Sequence, residues 1–164
     1  MARPRSVRKV APFLSGQPEI ADRRLQQLLD YWEKARGSRL LPSRSDIDPS
    51  ELRFLLGHLI LLDVLREPPR FRVRLQGTEV GWWAGGDFTG RTLDQVPSPA
   101  LAAVAQAHLA VCVDSAKPHH WRGELAIAEV PRRYEGLILP LAADGKSVNM
   151  LLAAVLCQDR RSSA

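Results

Sequence analysis

Residues 71–76 read Phe-Arg-Val-Arg-Leu-Gln, a strict alternation of apolar and polar side chains. Successive side chains of a β-strand point to opposite faces, whereas a helix repeats every three or four residues. The alternation therefore calls for a strand with one dry and one wet face, the pattern of an antiparallel sheet. It predicts Phe71, Val73 and Leu75 on the covered face, with Arg72 and Arg74 in solvent. A turn at 67–70, rich in proline, precedes it, and an apolar run at 59–65 precedes the turn. Two strands joined this way form a hairpin, which excludes an all-helical bundle.

The rest of the chain supplies partners for that hairpin. Residues 19–36 predict a helix with Leu25, Leu28, Leu29, Trp32 and Ala35 on one stripe and Gly37 at its end. The stripe suits a helix that covers a sheet. It also fits a seam between two copies, so Leu25, Leu28, Leu29 and Trp32 are the candidate homodimer interface. Asp48-Pro49 and Ser98-Pro99 each pair an N-cap with a proline at the first helical position. The first opens a short helix to about residue 56, and Thr78 opens another to residue 83. The second opens a long helix at 99–115, apolar nearly all round and so expected to be buried over most of its surface. Strands follow at 119–127, 134–141 and 147–157. This order predicts an α+β fold: a five-stranded antiparallel sheet with helices on one face, plus the N-terminal amphipathic helix. The expected layout is a flexible basic leader at 1–18, the helix at 19–40, the sheet domain at 41–158 and a tail at 159–164.

Charge narrows the partners. The chain carries a formal +5, but residues 19–158 hold 17 basic and 17 acidic residues. The basic excess lies in the two ends, which is not the balance of a nucleic-acid-binding face. No stretch approaches the roughly 20 apolar residues of a membrane helix. With no apolar export signal and only Cys112 and Cys157, reduced thiols in a cytoplasmic protein are expected.

The order helix, hairpin, helices and three-strand meander is the order of PAS domains. Several stretches resemble a family of small stand-alone bacterial PAS proteins, known mostly from alphaproteobacteria. They are Tyr31-Trp32 with Arg36-Gly37, the segment 41–49, His58 to Val64, Pro69 to Thr78, Asp87-Phe88-Thr89-Gly90-Arg91, Tyr134 to Leu141 and Asp144-Gly145. The resemblance spans about residues 28–157 and implies a PAS fold in a sensory or regulatory setting. It carries no cofactor signature, so the cofactor stays unknown, and it is thinnest at 100–129.

A PAS arrangement would put Trp82, Trp83 and Phe88 beside a pocket, together with Leu101, Val104 and His108 of the long helix and Leu139 and Met150 of the sheet. These are the candidate ligand-binding residues. The aromatic rings could hold a small apolar ligand or plug the cavity. His108 is also placed where haem-binding PAS sensors carry a proximal histidine, though a core histidine explains it as well. His119 and His120 alternate across a strand and cannot chelate one metal; His120 and Glu124 share a face, but two ligands make no site. Neither cysteine sits in the setting of a photoactive flavin domain. No nucleophile elbow, P-loop or zinc-protease helix is present, so no catalytic or metal residues are assigned. Three functions follow: a small-molecule sensor, a ligand-free dimerisation or docking module with a filled cavity, and an enzyme of unrecognised type. Output is expected through a homodimer or a regulatory protein partner.

Overall fold

The computed structural model describes residues 19–68 and 70–159. The leader at 1–18 and the tail beyond Asp159 lie outside the described residues. Helix α1 (Arg23–Arg36) comes first, then strands β1 (Leu59–Val64) and β2 (Phe71–Gln76), helix α2 (Thr78–Ala84) and helix α3 (Pro99–Ser115). Strands β3 (His119–Ile127), β4 (Val130–Leu141) and β5 (Met150–Cys157) complete it. The strands form one antiparallel sheet in the order β2-β1-β5-β4-β3. Chain ends of the sheet thus meet in its middle: β5 lies between β1 and β4, and its apolar residues on both faces are buried.

Two cores follow from that double burial. On one face, α1 lays Leu25, Leu28 and Trp32 over Leu137, Leu139, Leu141, Leu152, Ala154 and Leu156, with Leu41, Ile47, Leu52 and Leu55 closing the side. On the other, α2, α3 and the loop between them cover Leu62, Phe71, Val73, Tyr134, Ile138, Leu151, Ala153 and Val155. The helix α1 starts later than the sequence reading placed it, because Asp22 is the N-cap and accepts from the Arg24 amide. Trp32 donates from Nε1 to the Pro140 carbonyl at 3.0 Å, fastening the helix to β4.

The dimer assignment of the α1 stripe needs correction. Leu25 and Leu28 are wholly buried and Trp32 nearly so, all against the chain's own sheet; Leu29 is half-buried at the edge of the same core. An amphipathic helix needs a dry partner, and the back of this sheet supplies one, so the stripe has no face left for a second copy.

Strand β2 also departs from simple alternation. Phe71 and Val73 face the α2–α3 core, but Leu75 is 55% exposed. The register slips beside Leu61 and Leu62, whose partners are Leu75 and Val73 and skip Arg74. One extra residue inverts the parity of everything after it. Leu75 turns out to the α1 side and Gln76 turns in. Arg72 and Arg74 are exposed as expected and share Asp63, at 3.2 and 2.9 Å.

Helix α3 matches its expected span, with Ser98 accepting from the Leu101 amide, but only Leu109 and Cys112 are fully buried and Val111 is half-exposed. A helix lying across a sheet touches it along one side, and alanines on the far side tolerate water.

The two faces predict opposite outcomes for one chemical change. Leu25→Ala should lower the unfolding free energy by about 2–5 kcal/mol through its cavity. Leu75→Ala should change it by less than about 0.5 kcal/mol. Urea unfolding of both variants measures the difference; equal losses would remove the bulge.

Candidate functional site

Between the sheet and the α2–α3 layer lies a cavity of about 100 Å³ with almost wholly apolar walls. Its floor is Ile60 and Leu62 of β1, Val73 of β2, Ile138 of β4, and Ala153 and Val155 of β5. Its roof is Val80 and Trp83 of α2, Phe88, and Leu101, Val104 and His108 of α3. The space exists because Ala102, Ala105 and Ala153 stand where larger side chains would meet. Gln76, turned inward by the bulge, closes one end. Its amide donates to the Gly86 carbonyl at 2.7 Å and accepts from the Phe88 amide at 3.0 Å, which holds the glycine loop after α2.

One wall is aromatic. Trp121 of β3 lies across Gly136, its partner on β4, where a Cβ would collide with the indole. His108 stacks on that indole with ring centres 4.6 Å apart and 13° between planes. His108 Nδ1 lies 2.9 Å from Nε2 of His119, so one imidazole donates to the other. Burial pushes His108 down to about 4, and the neighbouring His119 adds to the shift. Burial lowers His119 as well. Both rings are therefore neutral in neutral solution.

His120, the next residue, faces the other side of the sheet. Its Nε2 meets Glu135 Oε1 at 2.8 Å, and both side chains are almost completely buried. The Glu135 carboxylate also accepts from the backbone amides of Ala21 at 2.9 Å and Asp22 at 3.2 Å, and Arg122 lies 3.6 Å away. A buried carboxylate is tolerated only with such partners. Here it also meets the positive end of α1. Thus β3 carries, on adjacent residues, the hydrogen-bond partner of the cavity's His108 and the anchor of α1. Residue spacing in the sequence gave no signal of the contact between Glu135 and the Ala21 and Asp22 amides, which lie more than a hundred residues away.

A family model described as a PAS domain matches residues 20–156. The chain belongs to the PAS domain family. Among solved structures it is similar to the PAS domain of Bordetella pertussis BvgS, with 14% identity and a TM-score of 0.52 over 69% of this chain and 88% of that one. It is similar to VqmA bound to DPO, with 15% identity and a TM-score of 0.53 over 69% of this chain and 57% of that one. A light-oxygen-voltage domain studied with a flavin analogue aligns at 11% identity and a TM-score of 0.50, over 68% and 84% of the two chains. Identities this low speak for the shared fold alone. No match was found among curated proteins.

In this PAS domain the cavity brings together Trp83, Phe88, Leu101, Val104 and His108 of the expected pocket. Leu139 and Met150 belong instead to the α1 core. Leu139 has the wrong parity, its neighbour Ile138 being the lining residue, and β5 is apolar on both faces, which hides parity from pattern reading. Trp82 is not a lining residue either; it sits beside the core with the Arg132 guanidinium 4.6 Å above its ring. Sequence reasoning missed Trp121 and Tyr134, whose alternation in β3 and β4 could have revealed them. Cys112 is a buried residue of α3, and burial pushes its thiol up to about 12. Among the described residues, no three His, Cys, Asp or Glu side chains gather as a metal site, and no helix is long and apolar enough to cross a membrane.

The neutral His108 sets a pH dependence. Its folded pKa lies below the ordinary 6.5, so between 6.5 and about 4 the unfolded chain binds a proton that the folded chain refuses. Stability should fall as pH drops through that window. Urea unfolding should show a flatter profile for His108→Phe, which keeps a ring on Trp121. Identical profiles would mean that His108 titrates as it does in water.

Proposed function

We propose that this PAS domain is a non-enzymatic cytoplasmic sensor whose cavity takes a small apolar molecule and whose output leaves through α1. The observation that carries this reading is the apolar cavity itself, whose His108 is hydrogen-bonded to the strand that anchors α1. The lining holds no serine, threonine, cysteine, lysine or carboxylate, which favours binding over reaction. Size bounds the ligand. An engineered apolar cavity of about 150 Å³ takes a benzene, so about 100 Å³ suits a single ring or smaller. Haem and flavin are several times larger, and Cys112 is not among the lining residues. The residues here do not fit either group.

Transmission follows from the sheet. A ligand that displaces the His108 ring moves His119, and with it the strand that carries His120 against Glu135. Occupancy then biases the hold of Glu135 on the amides before α1, by no more than the ligand's differential affinity for the two states. Output passes to a second copy or to a regulatory protein. With Leu25, Leu28 and Trp32 engaged within the chain, the exposed Phe54, Leu56 and Leu75 offer apolar area for that contact. A second reading, a ligand-free module, is favoured by Trp83 and Phe88, which already pack tightly into one end of the cavity.

Val104→Trp separates the two readings. In the sensor, it abolishes binding of a small apolar probe in a thermal-shift titration while circular dichroism stays native. If the substitution unfolds the domain, Val104 is close-packed core and the cavity is full. Hydrogen exchange tests the output: Glu135→Gln should speed exchange at residues 21–25 while β4 and β5 stay protected. Unchanged exchange there would remove Glu135 from the pathway.

A further inference from the structure

The sheet ends in two edges, β2 and β3. A sheet edge presents unpaired backbone N–H and C=O groups, and proteins blunt it with bulges, prolines, charges or covering loops. Strand β2 is blunted three times over. It carries the bulge, it presents Arg72 and Arg74, and the segment 90–92 lies along it. There Gly90 donates to the Val73 carbonyl at 2.7 Å, and Val73 donates to the Arg91 carbonyl at 2.9 Å. Strand β3 has no such cover. It pairs with β4 in unbroken register from His119 to Ile127, without a bulge or a proline. Among the described residues, no strand or loop pairs with the backbone of its outer edge.

The centre of that edge is Arg122-Gly123-Glu124, all exposed. Its order is self-complementary. Two identical antiparallel strands are related by a two-fold axis, so an axis normal to the sheet at Gly123 sets residue 122 of one copy opposite residue 124 of the other. Arg122 then meets Glu124 twice, on the α1 side of the sheet. On the other face, Trp121 meets Leu125 twice, and both are half-buried in the single chain. Opposite charges and aromatic–aliphatic pairs directly across two strands are stabilising. Moving the axis by one residue sets arginine against arginine, or glutamate against glutamate. Arg122 is held at the edge by the Glu19 carbonyl and by Glu135, 3.6 Å away. Glu124 has no ion pair among the described residues. Apart from its chain neighbours, no atom lies within 4 Å of where a Gly123 Cβ would stand, so the centre is open to a second backbone.

We propose that two copies of this chain join edge to edge through β3, antiparallel about Gly123, so that their two sheets become one continuous sheet. The occupant of the edge is a second copy because the edge complements itself in charge and in apolar pairs. The interface stands whether or not the cavity takes a ligand. It puts the strand that carries His119 and His120 between the two copies, and it leaves the exposed Leu75 at the opposite edge.

Sedimentation and cross-linking of the full chain test this. At high micromolar concentration the chain should sediment as a dimer. Glu124→Arg sets arginine against arginine at both contacts and should weaken the dimer by roughly tenfold. Facing Cα atoms of antiparallel strands stand about 4.5–5.5 Å apart, within reach of a disulfide. Gly123→Cys, oxidised with diamide, should therefore give a linked dimer. Ala126→Cys is also exposed but lies three residues off the axis, about 20 Å from its own copy. It should not link, and neither should the parent chain with Cys112 and Cys157. Circular dichroism shows whether each variant is folded. If Gly123→Cys is not, hydrogen exchange of the parent chain decides: every second amide of β3 should be protected in the dimer and exposed once dilution gives monomer. A monomer at high micromolar concentration overturns the proposal. So does a dimer that Glu124→Arg leaves unchanged, that links as readily through Ala126→Cys as through Gly123→Cys, or whose β3 amides exchange alike in dimer and monomer.

Discussion

Strand β5 is buried on both faces, and most of the architecture follows from that. A strand in the middle of a sheet, apolar at every position from Met150 to Leu156, needs a layer above and a layer below. The α2–α3 layer covers Leu151, Ala153 and Val155; α1 covers Leu152, Ala154 and Leu156. Removing α1 would leave that apolar face with only the segment of Leu41, Ile47, Leu52 and Leu55 at its side. The N-terminal helix is thus part of the domain's core, consistent with a family match that begins at residue 20.

The sheet also separates two polar clusters that a less ordered core would mix. His108 in the cavity wall and its partner His119 are neutral rings on one side, while His120 and Glu135 sit on the α1 side as a hydrogen-bonded pair. Alternation along β3 places neighbours in sequence on opposite faces, so a displacement on one face has a direct mechanical route to the other. In the sensor proposed above, the coupling element is this single strand with its two adjacent histidines.

The bulge in β2 and the small residues of the cavity serve the same site. The bulge turns Gln76 inward, where both ends of its amide hold the loop that carries Phe88. Ala102, Ala105 and Ala153 leave the space, and Gly136 lets Trp121 lie flat to bound it. A Gly136→Ala change would push the indole off the strand, with the stacked His108 ring on top of it.

Sequence patterns alone determined the element order, the antiparallel sheet, the span of α3 and the side of it that carries Leu101, Val104 and His108, because periodicity and capping act over a few residues. The apolar stripe of α1 was legible too, but its partner was not: a dry helix face seeks any apolar surface, and only the folded sheet shows that Leu25, Leu28 and Trp32 are already matched. Leu75 was misread because a bulge depends on the partner strand. Leu139 and Met150 were misplaced because a strand apolar on both sides carries no parity. The hold of Glu135 on the amides of Ala21 and Asp22 was decided by tertiary structure, since a hydrogen bond across more than a hundred residues leaves no mark on local sequence.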